Sequence, residues 1–243
     1  MTWSILTHDA ASGALAVAVA TCNFAVGASV PHIRAGVGAV ASQSFSNRYL
    51  GPAILDAMAR GLTPEQAIAG VVASDEGRGL RQVHAIDRHG RTAAWTGGNC
   101  VMWCGSLAGV SVVGASVSVA GNMLAGAAVV GDTLAAFLDG GGAVPERMVA
   151  AMQAGQRAGG DARGQQSAAL RLFTTEDFPD LCVRADDHAA PLDEVGRLLA
   201  LWRRDREPGL ASAPRKADPA GAIDLDVIDA RFIAAGSALR VRR

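Results

Sequence analysis

A threonine in second position can act as nucleophile and base at once. Removal of an initiator methionine requires a small second residue, and Thr2 meets that requirement. What remains is an α-amine on a hydroxyl-bearing residue at the head of an apolar segment. With an ordinary pKa of about 7.7 to 8.0, part of that amine is unprotonated near neutrality and can take the hydroxyl proton. Neither histidine nor lysine is needed, which suits this composition. All but one of the 22 basic residues are arginine, and the single lysine, Lys216, lies in a Pro- and Ala-rich stretch near the C-terminus. A Walker-type phosphate loop, a lysine Schiff base to pyridoxal and a Ser–Lys dyad each lack their central residue. Beside the nucleophile reading stands a plain one, in which Thr2 only begins a strand.

A second group of polar residues enters an apolar segment from a glycine-rich loop: Asp161-Ala162-Arg163-Gly164-Gln165-Gln166-Ser167. Glycine lets the backbone approach a ligand, and polar side chains in an apolar strand are costly unless paired. Arg163 can clamp a substrate carboxylate bidentately, with Ser167 on a substrate amine and Asp161 and Gln165 beside them. The alternative is a loop locked by an Asp161–Arg163 pair. Three other signals are weaker than they look. Gly36-Val37-Gly38-Ala39-Val40-Ala41 matches a dinucleotide fingerprint, with Asp56 at a suitable distance, but it leads into a strand-like run rather than a helix. Cys100 and Cys104 form only one close pair, so buried thiols are favoured over a zinc site, and no metal is expected. Asp187-His188 has no G-x-S-x-G serine to serve and reads as a cap for a helix near Pro191.

The elements that position these residues follow from periodicity. Trp3–His8 and Ala14–Ala20 read as two strands of a hairpin, the second apolar on both faces and therefore covered on both. Pro31–Arg34 reads as a connection and Gly36–Ser44 as a third strand. A helix follows from Gly51-Pro52 to about Arg60. A second is announced by Thr63-Pro64-Glu65-Gln66, a capping box with proline at the first turn, and ends near residues 75–79. Arg81–Asp87 and Thr92–Trp95 flank the turn Arg88-His89-Gly90-Arg91, and Val110–Ala120 is a further strand region. Leu124 to Leu138 recurs at helical spacing, and another helix follows Pro145. Gln166–Thr174 and Leu181–Ala185 are strand candidates, before a helix with Leu192, Val195, Leu198, Leu199 and Trp202 on one face. Doubly covered sheets between paired helices imply an α+β fold in four layers, an αββα sandwich. Residues 1–204 form this domain, and residues 205–243 a Pro/Ala-rich linker with a short amphipathic piece from Ile223 to Ala234 and a solvated tail, Arg240-Val241-Arg242-Arg243.

With 243 residues, half of them apolar and 19% charged, the chain can bury a sizeable core. A net charge of −1 gives no global field for nucleic acid or anionic lipid. Neither a membrane-spanning run nor an export signal is evident, and the four cysteines read as reduced thiols, so a cytoplasmic location is expected.

Together, Thr2-Trp3-Ser4-Ile5, Ala16-Val17-Ala18-Val19-Ala20, Ala35-Gly36-Val37-Gly38-Ala39-Val40-Ala41, Gly121-Asn122-Met123-Leu124-Ala125-Gly126, Gly159-Gly160-Asp161, Arg163-Gly164-Gln165-Gln166-Ser167 and Asp186-Asp187-His188 resemble a bacterial and archaeal family of unknown function grouped with the N-terminal nucleophile (Ntn) hydrolases. The resemblance runs from Thr2 to about Trp202 and implies an αββα fold with hydrolysis of C–N amide bonds at Thr2. The Thr/Asp/Lys arrangement of better-known members is not present, leaving the proton path to the α-amine or a water. Such a hydrolase needs donors for the oxyanion of its tetrahedral intermediate. Asn122 is the first candidate and Asn99 the second, against helix-cap and turn readings. The expectation is thus a hydrolase without cofactor acting on a small amide or N-acyl substrate, with no nucleic-acid or membrane partner and with room for a homo-oligomer. The competing expectation is a non-catalytic binding or scaffold protein on the same body.

Overall fold

Ten strands form two antiparallel sheets in the computed structural model, which describes residues 2–239 and Val241. The six-stranded sheet has the order β10-β9-β2-β1-β8-β7. Its strands are β1 (Thr2–Asp9), β2 (Leu15–Thr21), β7 (Trp103–Val110), β8 (Ala115–Leu124), β9 (Ser167–Phe173) and β10 (Leu181–Ala185). The four-stranded sheet, β3-β4-β5-β6, is built from Pro31–Arg34, Gly38–Ser44, Arg81–Asp87 and Thr92–Thr96. Helices α1 (Leu50–Ala59) and α2 (Pro64–Ala73) cover the smaller sheet, while α3 (Ala127–Asp139) and α4 (Val144–Arg157) pack on the larger. Helix α5 spans Pro191–Leu201.

Every residue of β2 is buried, as strict alternation without a polar face requires. Leu15, Val17 and Val19 point at the other sheet and join Leu6, Ala39, Ala41 and Ile86 in the core between the sheets. The opposite face, Ala16, Ala18 and Ala20, is small, which lets helix α4 lie close. A second core fills the space between α1, α2 and the smaller sheet, with Ile54, Leu55, Ile68 and Val72 against Val40 and Val83. Helix α2 starts on the capping box read from the sequence: Gln66 N–H donates to Thr63 Oγ1 at 3.2 Å and Thr63 N–H to Gln66 Oε1 at 3.0 Å.

Several boundaries differ from the sequence reading, each for a physical reason. Pro31–Arg34 is strand β3 rather than a connection; it is an edge strand, where a proline without N–H is tolerated. The run Val110–Ala120 is not one strand, since Ser111–Gly114 turns the chain, with Ser111 N–H on Ala115 O and Gly114 at φ 83°. Val112 is fully exposed at that turn, so a valine-rich stretch misled. Before it runs β7, an edge strand whose half-exposed residues give no alternation to read. Helix α2 stops at Ala73 and α3 starts at Ala127, so Leu124 closes β8 instead of opening a helix. The Gly36 motif turns between antiparallel β3 and β4, with Gly36 at φ 68°, and Asp56 pairs with Arg34 at 2.7 Å, which removes the dinucleotide pattern.

The chain divides into two compact units, Met1–Val195 and Gly196–Arg243. In the second, helix α6 (Glu207–Leu210) precedes α7 (Leu225–Ala234), whose cap Asp224 accepts from Asp226 N–H. There, Arg231 donates to Ser212 Oγ at 2.8 Å, and Ser237 Oγ to Asp205 at 2.8 Å. The expected tail lies outside the described residues except Val241, and so does Met1. Among the described residues, no helix is long and apolar enough to cross a membrane.

Candidate active site at the start of strand β1

Strand β1 lies between β2 and β8, and its register puts Thr2 opposite Asn122 and Trp3 opposite Ala20. Alternation then directs Thr2, Ser4 and Leu6 toward the other sheet, and Trp3 and Ile5 toward the helices. Thr2 is buried, and its Oγ1 lies 3.4 Å from Thr21 Oγ1 at the end of β2. Asn23 continues from there: its Nδ2 donates to Thr21 Oγ1 at 3.3 Å while the residue is exposed.

Behind Thr2, buried polar side chains of both sheets form one connected network. Gln82 Nε2 donates to Gly121 O at 2.8 Å and to Thr96 Oγ1 at 3.1 Å. A backbone carbonyl can only accept, so the amide orientation is fixed and Gln82 Oε1 faces the other way. That oxygen accepts from Asn122 Nδ2 and from Gln43 Nε2, both at 2.9 Å. Gln43 Nε2 also reaches Ala120 O at 3.2 Å, leaving Gln43 Oε1 to accept from Ser4 Oγ at 2.8 Å. The Ser4 proton is thereby used, so His84 Nε2 donates to Ser4 Oγ at 2.8 Å and His84 Nδ1 accepts from Ser118 Oγ at 2.9 Å. Every donor points the same way along the chain from Ser118 to Gln82.

His84 is completely buried, and burial pushes its pKa down to about 3, so the imidazole is neutral. Unfolding releases a histidine that titrates near 6.5, so the unfolded state binds the extra proton between these values. Stability carried by neutral His84 is therefore complete above about pH 6.5 and falls as pH drops toward 3. Wild-type melting temperature is expected to drop between neutrality and mild acid, by up to about 1.4 kcal/mol of stability per pH unit from this group. His84→Gln should lower stability at neutral pH and flatten the acid slope; an unchanged slope in melts across the range would show that His84 carries none of it.

The loop residues fall into two sets. Asp161 is buried, accepts from Cys22 N–H at 3.0 Å and Arg163 N–H at 2.9 Å, and holds the Arg163 guanidinium at 3.4 Å. This is the loop lock weighed from the sequence. Ser167 Oγ donates to Asn23 O at 2.6 Å and accepts from Val26 N–H at 3.0 Å, bonds that fix the Asn23 segment. Gln165 lines a pocket of about 260 Å³ with Gln153, Gln156, Arg157, Leu192 and Asp193. Burial, with the Asp161 carboxylate second, pushes the Cys22 thiol up, which makes it a poor nucleophile. Asp161→Ala is expected to cost about 2 kcal/mol, because two part-buried backbone donors, Cys22 N–H and Arg163 N–H, lose their charged acceptor. Arg163→Lys should cost under about 1 kcal/mol, its side chain being 42% exposed. Thermal melts of both variants check this, and equal losses would refute it.

Asn122 lies within β8, not between a strand and a helix. Its two Nδ2 hydrogens go to Gln82 Oε1 and, at 3.3 Å, Thr2 O, while the buried Oδ1 has no partner among the described residues. Asn99 stays apart, in the loop after β6, with its N–H on Gly79 O. His188 Nδ1 accepts from Ala190 N–H just before α5, while Asp187 Oδ1 accepts from Gln166 Nε2 at 3.0 Å, so the two residues take separate partners rather than capping the helix together. Sequence reasoning missed Asn23, Gln43 and Gln82. The signal for the last was present: Gln82 and His84 alternate in an apolar strand, one buried face carrying two polar groups. Among the described residues, no three of His, Cys, Asp and Glu gather as a metal-binding group.

The model of a family of unknown function, DUF1028, matches residues 2–195. The chain belongs to the DUF1028 family. The match takes in both sheets, helices α1–α4 and all the network residues above. It brings a family whose function is unknown. A DUF1028 protein of Silicibacter pomeroyi, known from a crystal structure, is 30% identical with a TM-score of 0.83 over 92% of this chain and 99% of its own. None of the curated proteins matches.

Proposed function

We propose that this DUF1028 chain is an amide hydrolase with Thr2 as its N-terminal nucleophile, its two sheets and flanking helix pairs being the αββα sandwich of Ntn hydrolases. The observation that carries the reading is the placement of Thr2. It heads a central strand, turns inward between the sheets, and sits 3.4 Å from Thr21 and directly opposite Asn122. Once Met1 is removed, the Thr2 amine takes the hydroxyl proton as Oγ1 attacks the amide carbon. The C–O bond forms, the tetrahedral intermediate collapses, the C–N bond breaks, and the proton passes to the departing amine. Water then hydrolyses the ester on Thr2, releasing the acid and restoring the hydroxyl. Asn23 is the side-chain donor best placed for the oxyanion: it is exposed, and its Nδ2 has a second hydrogen beyond the one on Thr21 Oγ1.

The test uses the purified full chain, an intact mass to establish Met1 removal, and a panel of N-acyl amino acids and small primary amides. A β-lactone that acylates N-terminal hydroxyls serves as a covalent probe. Expected are loss of the Met1 mass, turnover of at least one amide, and a lactone adduct on the peptide that begins at Thr2. A native protein that keeps Met1, or an adduct confined to cysteine, would overturn the reading in favour of a binding or scaffold role.

A further inference from the structure

Asn122 Oδ1 is a fully buried acceptor that has no partner among the described residues. Leaving such an atom unpaired is costly, so its persistence calls for a donor that arrives later. The amide cannot be flipped to remove the problem. Gln82 Nε2 is held by Gly121 O, which fixes Gln82 Oε1 toward Asn122, and a flipped Asn122 would set its oxygen against both Gln82 Oε1 and Thr2 O. The orientation of Asn122 is thus inherited from a backbone carbonyl on its own strand. Its donors are used inward, and only its oxygen is left to offer.

The register names the group it faces. Asn122 and Thr2 are directly opposed on antiparallel strands, and such pairs have Cβ atoms about 4.5–5.5 Å apart on one face. Resting on the reading of Thr2 as an N-terminal nucleophile, we propose that Asn122 Oδ1 accepts a hydrogen bond from the Thr2 α-amine created by removal of Met1, making Asn122 a positioning residue and not the oxyanion donor. An amine that gives one hydrogen to Oδ1 has its rotation about N–Cα stopped. Its lone pair is then free to meet the hydroxyl proton on the same residue. Proteolytic removal of one residue would in this way satisfy the orphan acceptor and arm the base in a single event.

The test has two arms that do not depend on turnover. The first is a crystal structure of the wild-type protein after Met1 removal is established by mass. A Thr2 nitrogen at hydrogen-bond distance from Asn122 Oδ1 is expected. A water on Oδ1, or an amine turned away, overturns the proposal while leaving the nucleophile reading intact, whereas retention of Met1 removes both. The second arm follows the Thr2 Cα resonance against pH in threonine-labelled wild type and Asn122→Ser. An acceptor favours ammonium over amine, so loss of Oδ1 should lower the amine pKa by about one unit, a tenfold change in its protonation equilibrium. Cys22, Asp161 and Arg163 at this sheet edge and His84 within are common to both proteins and cancel in the comparison. Equal pKa values overturn the proposal. Should Asn122→Ser fail to fold, the crystal structure alone decides.

Discussion

Thr2→Ala is expected to lower kcat/KM for the amide that the wild type cleaves by at least about 10³-fold, because the bond-forming oxygen is gone and only binding and polarisation remain. Alanine is small enough to permit removal of Met1, so the variant keeps its free amine and isolates the hydroxyl. Stability should hardly change: the side chain is buried, but its contact with Thr21 Oγ1 is long at 3.4 Å, and losing one methyl-bearing hydroxyl at a strand end costs within about 1 kcal/mol. Thr2→Ser should recover part of the rate. The measurement pairs steady-state kinetics with thermal melts, and an alanine variant that turns over like wild type would end the case for Thr2 as nucleophile.

The largest loss of stability is expected from Gln82→Leu, which fits the volume but empties the junction of the network. Asn122 and Gln43 each lose the oxygen they donate to, and Gly121 O and Thr96 Oγ1 lose their donor. With buried unsatisfied groups costing about 1–3 kcal/mol each and some relaxation, a loss of about 3–5 kcal/mol follows. For a chain of this length that corresponds to a fall in Tm of roughly 6–20 °C. Thr92→Leu, at the far end of β6 and paired with Ile86 rather than with Gln82, provides the control. If Gln82→Leu melts within about 2 °C of wild type, the network contributes far less than its burial implies.

How much of this was legible in the sequence depends on whether the signal was local. The capping box at Thr63-Pro64-Glu65-Gln66 needs only four neighbours, and it formed as read. The double burial of β2 is likewise written in its own residues. Edge strands were harder, because β3 and β7 are half solvated and carry no clean alternation. Asp161 and Arg163 were placed together correctly, but their pairing and an open carboxylate clamp have the same sequence signature; only the buried partners of Asp161 tell them apart. The polar network was least accessible. Gln43, Gln82, His84, Ser118 and Asn122 come from three strands, and no single segment shows that they meet. Which hydrogens Asn122 has left to give is decided by Gln82, 40 positions away in sequence.

The position of β1 in its sheet has a consequence for how the chain reaches this state. β1 pairs at once with β2, but its other edge must wait for β8, with Thr2 and Asn122 separated by 120 positions. β2 in turn waits for β9, where Thr21 meets Ser167. During synthesis the first hairpin therefore emerges with both long edges open and both faces apolar, and it stays so until most of the domain has been made. Closure of such distant pairings is slow because loop entropy is lost before contacts compensate, which predicts a high contact order and refolding in the range of milliseconds to seconds or slower. In that interval the hairpin is the segment most exposed to association with another copy of itself, and yield of folded protein should fall with concentration and recover when synthesis is slowed.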